Sequence, residues 1–333
     1  MYNRFMNTSN VRFGYCCINL SLADQKITAN RGMIKRTFAA KGQPYCSELA
    51  HQNIKDILKI LRWNVKNGIF VYRMSSDVFP WMSEYEIQTL PNFKQILVDM
   101  QKIGEYALDN GIRLSMHPGQ FDVLCSPSES VVRKTIKDLN QHSEIMDLMG
   151  LPVSHQFPIN IHLGGTYGDK ESAAKRFCEN FAKLSQSARD RIVIENDDKG
   201  AQYSVTDLYN MVYMRIGTPI TFDFHHHRFN DGGLTEEAAL KLAARTWKDV
   251  TPLTHYSSCK KTFEDPTVIA RSHADYVYER INEYGMTFDC EVEAKAKDLA
   301  VLQYREQQST RLLLENYLEF DDKRYFKKDL VEA

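Results

Sequence analysis

Eight short apolar runs, rich in β-branched residues and closed by turn residues, recur along this chain and alternate with segments of helical period. They are VRFGYCCIN from Val11, FVYRMSS from Phe70, IRLSMHPG from Ile112, FPINIHLGG from Phe157, RIVIEND from Arg191, PITFDFHHH from Pro219, PLTHYSS from Pro252 and TFDCEVEA from Thr287. Short apolar runs bounded in this way read as strands buried on both faces. Between them, Leu49, Ile54, Ile57, Leu58 and Leu61 form a helical stripe that stops at Asn67-Gly68. A second stripe of Ile96, Met100, Ile103 and Ala107 stops at Asn110-Gly111, and a third runs from Val131 to Met149 before Gly150. A glycine just past a stripe marks a helix end, because a positive φ is needed there. Shorter helices are expected over 170–186, 204–215, 235–247, 272–284 and 295–316.

Strand followed by helix, repeated eight times, implies parallel strands joined by right-handed crossovers. Eight such units close into a (β/α)8 TIM barrel, and 333 residues suit one with modest insertions. An open doubly wound sheet would carry G-x-G-x-x-G after its first strand. That motif is absent there, so no nucleotide cofactor is expected. The chain reads as one catalytic domain over 11–318, with a flexible N-terminal tail at 1–10 and a charged C-terminal tail at 319–333. Seven cysteines without a CxxC pair read as reduced thiols, which suits a cytoplasmic protein. No apolar run approaches the roughly 18 residues of a membrane span. Formal net charge is −1, so any nucleic-acid binding must come from a local basic face.

Unusual polar residues gather where the strands finish. These are His117 on the third strand, His162 on the fourth, Glu195 on the fifth, Asp223 with His225, His226 and His227 on the sixth, His255 on the seventh and Glu293 on the eighth. In a barrel these ends share one mouth, where active sites sit. A single histidine is more often an ordinary hydrogen-bonded residue than a ligand, but so many convergent ones are not. Acidic groups at apolar strand ends carry a desolvation penalty unless they are paired or bind cations. Mixed imidazole and carboxylate sets suit zinc, manganese or iron, and two or three ions sharing a carboxylate would stabilise a phosphoryl displacement.

The motifs resemble those of UV damage endonucleases. They are R-F-G-Y-x-x-I-N at Arg12–Asn19, R-x-S-S-D-x-F-P at Arg73–Pro80, H-P-G-Q at His117–Gln120, N-x-H-x-G-G at Asn160–Gly165, I-E-N-D-D at Ile194–Asp198, D-F-H-H-H at Asp223–His227, H-A-D-Y at His273–Tyr276 and E-A-K at Glu293–Lys295. The resemblance implies a barrel and trinuclear metal site like those of apurinic endonuclease IV. It also implies incision of damaged double-stranded DNA immediately 5′ of cyclobutane dimers and (6-4) photoproducts, by a metal-activated hydroxide. By the same resemblance, two to three divalent ions are expected, manganese first, with zinc, magnesium or cobalt as alternatives. His117, His162 and Glu195 would hold the first metal. Glu195 would bridge to a second completed by Asp223, His255 and Glu293, and His226 and His273 would hold the third. A period of two would point His225 inward with Asp223, so the choice of His226 rests on the resemblance; the roles of His225 and His227 stay open. Gln120 and Phe121 match residues that enter the duplex, and Tyr15 and Asn19 match residues near the lesion. Two departures stand out: Phe121 stands where the family often has Tyr, and Leu253 where it commonly has a modified Lys.

Independently, Lys26, Arg31, Lys35, Arg36 and Lys41 follow the first strand with no acid among them. On the mouth, such a loop would hold phosphates, Lys35 and Arg36 above all. The expectation is a monomeric, metal-dependent DNA repair endonuclease, nucleoid-associated when bound. An abasic-site endonuclease, a sugar isomerase or epimerase on the same barrel, and a silent binder of damaged DNA are the alternatives.

Overall fold

The computed structural model describes residues 10–311; the tails expected at 1–10, save Asn10, and at 319–333 lie outside them. All eight expected strands form: β1 Val11–Cys16, β2 Val71–Met74, β3 Arg113–Met116, β4 Ile159–His162, β5 Ile192–Glu195, β6 Ile220–Asp223, β7 Leu253–Tyr256 and β8 Phe288–Val292. They pair in sequence order, all parallel, and β1 closes on β8 as a barrel. In register, His162 stands beside Glu195 and Asp223 beside His255, so adjacent strands deliver their polar ends side by side.

The long helices are α1 Lys35–Lys66, α2 Phe93–Asp109 and α3 Glu129–Leu148. Ile96, Met100, Ile103 and Ala107 are all buried on α2, each large apolar side chain contributing about 1.5–3 kcal/mol by leaving water. The glycines expected to end these helices, Gly68, Gly111 and Gly150, all have positive φ. Then follow α4 Lys170–Phe181 and the one-turn α5 Gln186–Arg189. α6 Val205–Leu208 and α7 Met214–Ile216 flank a π-helical turn, Tyr209–Tyr213. The one-turn α8 Phe224–His227, α9 Glu236–Arg245 and the one-turn α10 Lys260–Phe263 come next, and a helix over 297–311, α11, ends the described residues.

Two expectations need correcting. The helix expected over 272–284 does not form. Its backbone is claimed by tertiary bonds instead: Ala274 N–H donates to Ser258 O, Lys295 N–H to Ala274 O, and Asp275 N–H to the Glu264 carboxylate. The basic segment is not all loop either, since α1 begins at Lys35 and breaks at Gly42, ahead of the Leu49 stripe.

Inside the barrel the side chains are layered. At the floor, Asp289 lies between Arg12 and Arg113. Beside it Val71, Val193, Leu253 and Trp247 form a small apolar plug, with Leu253 in register with Asp289, Val71 in register with Arg113 and the Trp247 ring 5.2 Å from the Arg113 guanidinium. Gly14 completes this level, because a Cβ there would fall 2.0 Å from the Val71 carbonyl oxygen. The strand ends that carry the histidine and carboxylate cluster lie over the plug.

Candidate metal centre

Glu195 sits at the centre of the mouth, buried. Its Oε2 accepts from the Asn160 amide and faces His117 Nε2 at 3.1 Å, His255 Nδ1 at 3.2 Å and His162 Nε2 at 3.7 Å. Its Oε1 faces His226 Nδ1 at 3.2 Å. Three sets each bring one ligand atom per residue within 4.8 Å of the others: His117, His162 and Glu195; Glu195, Asp223 and His226; Asp223, His255 and Glu293. His226 thus stands with Glu195 and Asp223 in the middle set. His273 lies at the edge, its Nδ1 3.5 Å from Glu293 Oε2 and its ring 6.4 Å from that of His226.

His226 rather than His225 faces inward because the chain changes period at the end of β6. Asp223 caps α8, its Oδ1 accepting from His226 N–H at 2.8 Å. Once the backbone turns helical, the third residue returns to the starting face rather than the second. His225 packs at the edge, its ring 5.1 Å from His273, and His227 lies against Phe222 at 5.2 Å.

Further residues, to which sequence reasoning gave no role, hold these side chains in place. Glu291 Oε2 is 3.1 Å from His255 Nε2, and its other oxygen accepts from Ser115. Asp197 Oδ1 is 3.0 Å from His162 Nδ1, and Arg73 reaches Glu293 at 2.6 Å and Glu291 at 3.6 Å. Such carboxylate–imidazole pairs fix a ring's orientation and raise its basicity. The signal was there: Glu291 precedes Glu293 by two, Asn160 precedes His162 by two and Asp197 follows Glu195 by two, the spacing that keeps strand residues on one face.

Burial opposes the charged form of Glu195, yet the His255 and His162 imidazoles hold its carboxyl well below the usual range. Burial, with Glu195 and Glu293, pushes Asp223 up despite His226. Burial also pulls the rings down, but Glu195 and Asp197 push His162 up to about 9, and Asp223 and Glu195 push His226 up to about 11. Protons and cations compete for these nitrogens, so a divalent ion would bind with proton release. Asp223 Oδ2 and both His255 ring nitrogens are buried without a well-directed hydrogen bond, although carboxylates stand within ion-pairing distance of the ring.

The remaining expected residues fall into two groups. Gln120 and Phe121 are exposed on the loop after β3, Phe121 at 82%. Beneath them burial and the Asp138 carboxyl push Asp122 up to about 8, so it keeps a proton to share with Asp138, which in turn pairs with buried His142 at 3.1 Å. Lys35 and Arg36 are exposed in the first turn of α1. Arg31 is engaged by Asp56 at 2.7 Å. Tyr15 and Asn19 are placed elsewhere, fully buried: Asn19 donates to the Tyr15 hydroxyl at 2.8 Å, and that hydroxyl donates to Asn64 at 2.7 Å. They present no surface to a ligand here and pin the turn after β1. Leu253 is buried in the plug two residues below His255.

Residues 11–331 match the family described as UV-endonuclease UvdE. The chain belongs to that family. It is 32% identical over 349 residues to the UV DNA damage endonuclease of Clostridium perfringens, covering 97% of this chain and 81% of that protein. It is 34% identical over 307 residues to the UV-damage endonuclease of Schizosaccharomyces pombe, covering 88% of this chain and 50% of that one. The crystal structure of SacUVDE superposes with a TM-score of 0.76 at 32% identity, over 88% of this chain and 96% of that one. A D-tagatose 3-epimerase-like protein, at 12% identity and TM-score 0.51, shares the fold alone. Among the described residues of this UvdE member, no helix is long and apolar enough to cross a membrane.

Proposed function

We propose that this chain is a metal-dependent DNA repair endonuclease that hydrolyses the phosphodiester immediately 5′ to UV photoproducts, cyclobutane pyrimidine dimers and (6-4) photoproducts among them. Family membership and the names of its relatives support action on UV-damaged DNA. One observation carries the reading: the end of β3 delivers His117 into the buried cluster and, four residues later, Phe121 into solvent. A site suited to phosphodiester chemistry and an apolar ring suited to enter a duplex thus follow from the same strand, four residues apart. A sugar isomerase or epimerase would enclose a small substrate and has no use for such a ring at its mouth.

The donor set fits two to three divalent cations, with manganese matching its mixture of imidazole and carboxylate. His117, His162, Glu195, Asp223, His226, His255 and Glu293 would hold them, with His273 at the edge. Bound there, divalent ions supply the electrophilic pull on the phosphate and the acidification of the attacking water. Glu195 belongs to two of the three sets and turns a different oxygen to each side, which suits a bridging carboxylate. Glu291 and Asp197 orient His255 and His162, while Arg73 fixes Glu293.

Phe121 and Gln120 would occupy the gap left by displaced bases. Unpairing costs a few kcal/mol, least where a lesion has already weakened the pair, and that difference supplies selectivity without reading sequence. Lys35 and Arg36 stand at the amino end of α1, where the helix dipole disfavours cations and favours phosphate. The test is an end-labelled duplex irradiated with ultraviolet light. Cuts directly 5′ of the dimers, abolished by EDTA and restored by manganese, are expected. Nicking indifferent to EDTA, or equal cutting of unirradiated duplex, would overturn the reading.

A further inference from the structure

Tyr167 stands at the tip of the loop from β4 to α4, 52% exposed. Asp169 N–H donates to Thr166 O at 3.0 Å, closing a four-residue turn whose central residues, Tyr167 and Gly168, have φ of 52° and 81°. Such mirror-image turns ordinarily carry Asn, Asp or Gly at the first of these positions, because a side chain crowds a left-handed backbone. A bulky ring there strains the backbone and gains little by burial. Backbone strain retained at an exposed aromatic points to a role outside the fold itself.

The loop is also tied to the one that carries Phe121. Gly164 has φ of 96°, and a Cβ on it would fall 2.6 Å from Val123 Cγ1, so the two loops touch where only glycine fits. Cys125 Sγ donates to Gly165 O at 3.1 Å. Arg176 donates through Nε to Cys125 O at 2.9 Å and holds its guanidinium 5.7 Å from the Tyr167 ring centroid, within cation–π range. One arginine therefore steadies both the foot of the Phe121 loop and the tyrosine ring. The two exposed aromatics stand on neighbouring loops at the mouth.

Building on the proposed activity, we propose that Tyr167 is a second DNA-contacting aromatic, stacking on a nucleobase that Phe121 displaces from the duplex. One ring opens the stack and the other receives what leaves it. Tyr167 then governs discrimination: it strengthens binding where a paired base must be moved out, and it adds nothing to an intact duplex.

Tyr167→Asn tests this without endangering the fold, since Asn is at home at a positive φ. Its melting temperature should equal or exceed the parent's. Its affinity for a duplex with a single cyclobutane dimer should fall roughly tenfold, the equivalent of one stacked base, with the rate at saturation near the parent's. Tyr167→Phe should restore affinity, and Tyr167→Gly, which relieves the strain equally, should repeat the loss. With 2-aminopurine opposite the lesion, the bound parent should quench the displaced base and Tyr167→Asn should leave it brighter. Parent-like binding and quenching by both the Asn and Gly variants, in an enzyme that still nicks irradiated DNA, would overturn this inference and leave the activity standing. An equal loss of affinity for undamaged duplex would make Tyr167 a plain backbone contact and overturn it too. A parent that fails to nick irradiated DNA would bring down both readings.

Discussion

At the floor of the barrel, Asp289 lies between Arg12 at 2.6 Å and Arg113 at 3.0 Å, and the Arg113 N–H groups also reach the carbonyls of His155, Gln156 and Thr251. Neither Arg113 nor Asp289 is among the described residues with an unpartnered buried side-chain atom. Two and four residues further along the chain, at the mouth, Glu291 and Glu293 meet Glu195 and Asp223, with Arg73 and a ring of imidazoles as the facing cationic groups. There Asp223 Oδ2, Glu291 Oε2 and both His255 ring nitrogens lack a well-directed hydrogen bond. Both ends bury charge, but the floor satisfies it within the chain while the mouth leaves donor capacity facing inward. A satisfied buried network rigidifies a fold; an unsatisfied one is tolerated where function requires it.

The sharpest way to break this contrast is Glu195→Gln, which removes one negative charge at constant shape. Incision of an irradiated duplex should fall on the order of a thousandfold, the scale seen when a preorganised electrostatic partner is lost. Undiminished nicking would remove Glu195 from the centre of the site.

Asp289→Asn should do the reverse. It leaves the fully buried Arg113 guanidinium without its carboxylate, and breaking a buried pair costs about 3–5 kcal/mol. Denaturant unfolding should show that loss, while folded protein below the transition nicks at the parental rate. A floor variant that kept its stability but lost activity would erase the distinction between the two ends.

The smallest effect concerns the exposed half of the mouth. Phe121→Ala should slow incision at cyclobutane dimers by about tenfold to a hundredfold, the equivalent of 1–3 kcal/mol of lost stacking. Abasic sites, where one base is already missing, should suffer less. Metal content should not change, since His117 stays in place. Equal losses on the two substrates would show that the ring discriminates nothing.

Much of this was legible in the sequence because the periods are local. Each strand is a run that pleating makes apolar on both faces, and each long helix ends at a glycine that the backbone requires. Once eight parallel strands are counted, closure gathers their carboxyl ends, which is why His117, His162, Glu195, Asp223, His255 and Glu293 could be named before any coordinate. The chain over 272–284 was not legible. Its composition suits a helix, but Ser258, Glu264 and Lys295 capture its backbone hydrogen bonds from afar.

The sequence by itself determined the barrel, the end of it that carries the chemistry, and the residue types that meet there, because these follow from period, strand count and desolvation. Only the tertiary structure decided which neighbour in a run of three histidines turns inward. Asp223 caps the turn that follows β6, so the backbone passes from a period of two to one of 3.6 and brings His226 around beside Glu195. It likewise decided that Tyr15 and Asn19 serve the packing of β1 on α1, that Glu291 and Asp197 stand behind the ligand imidazoles, and that Tyr167 shares an arginine with the Phe121 loop. Each of these depends on side chains distant in the chain meeting across packed elements, and a period cannot encode such meetings.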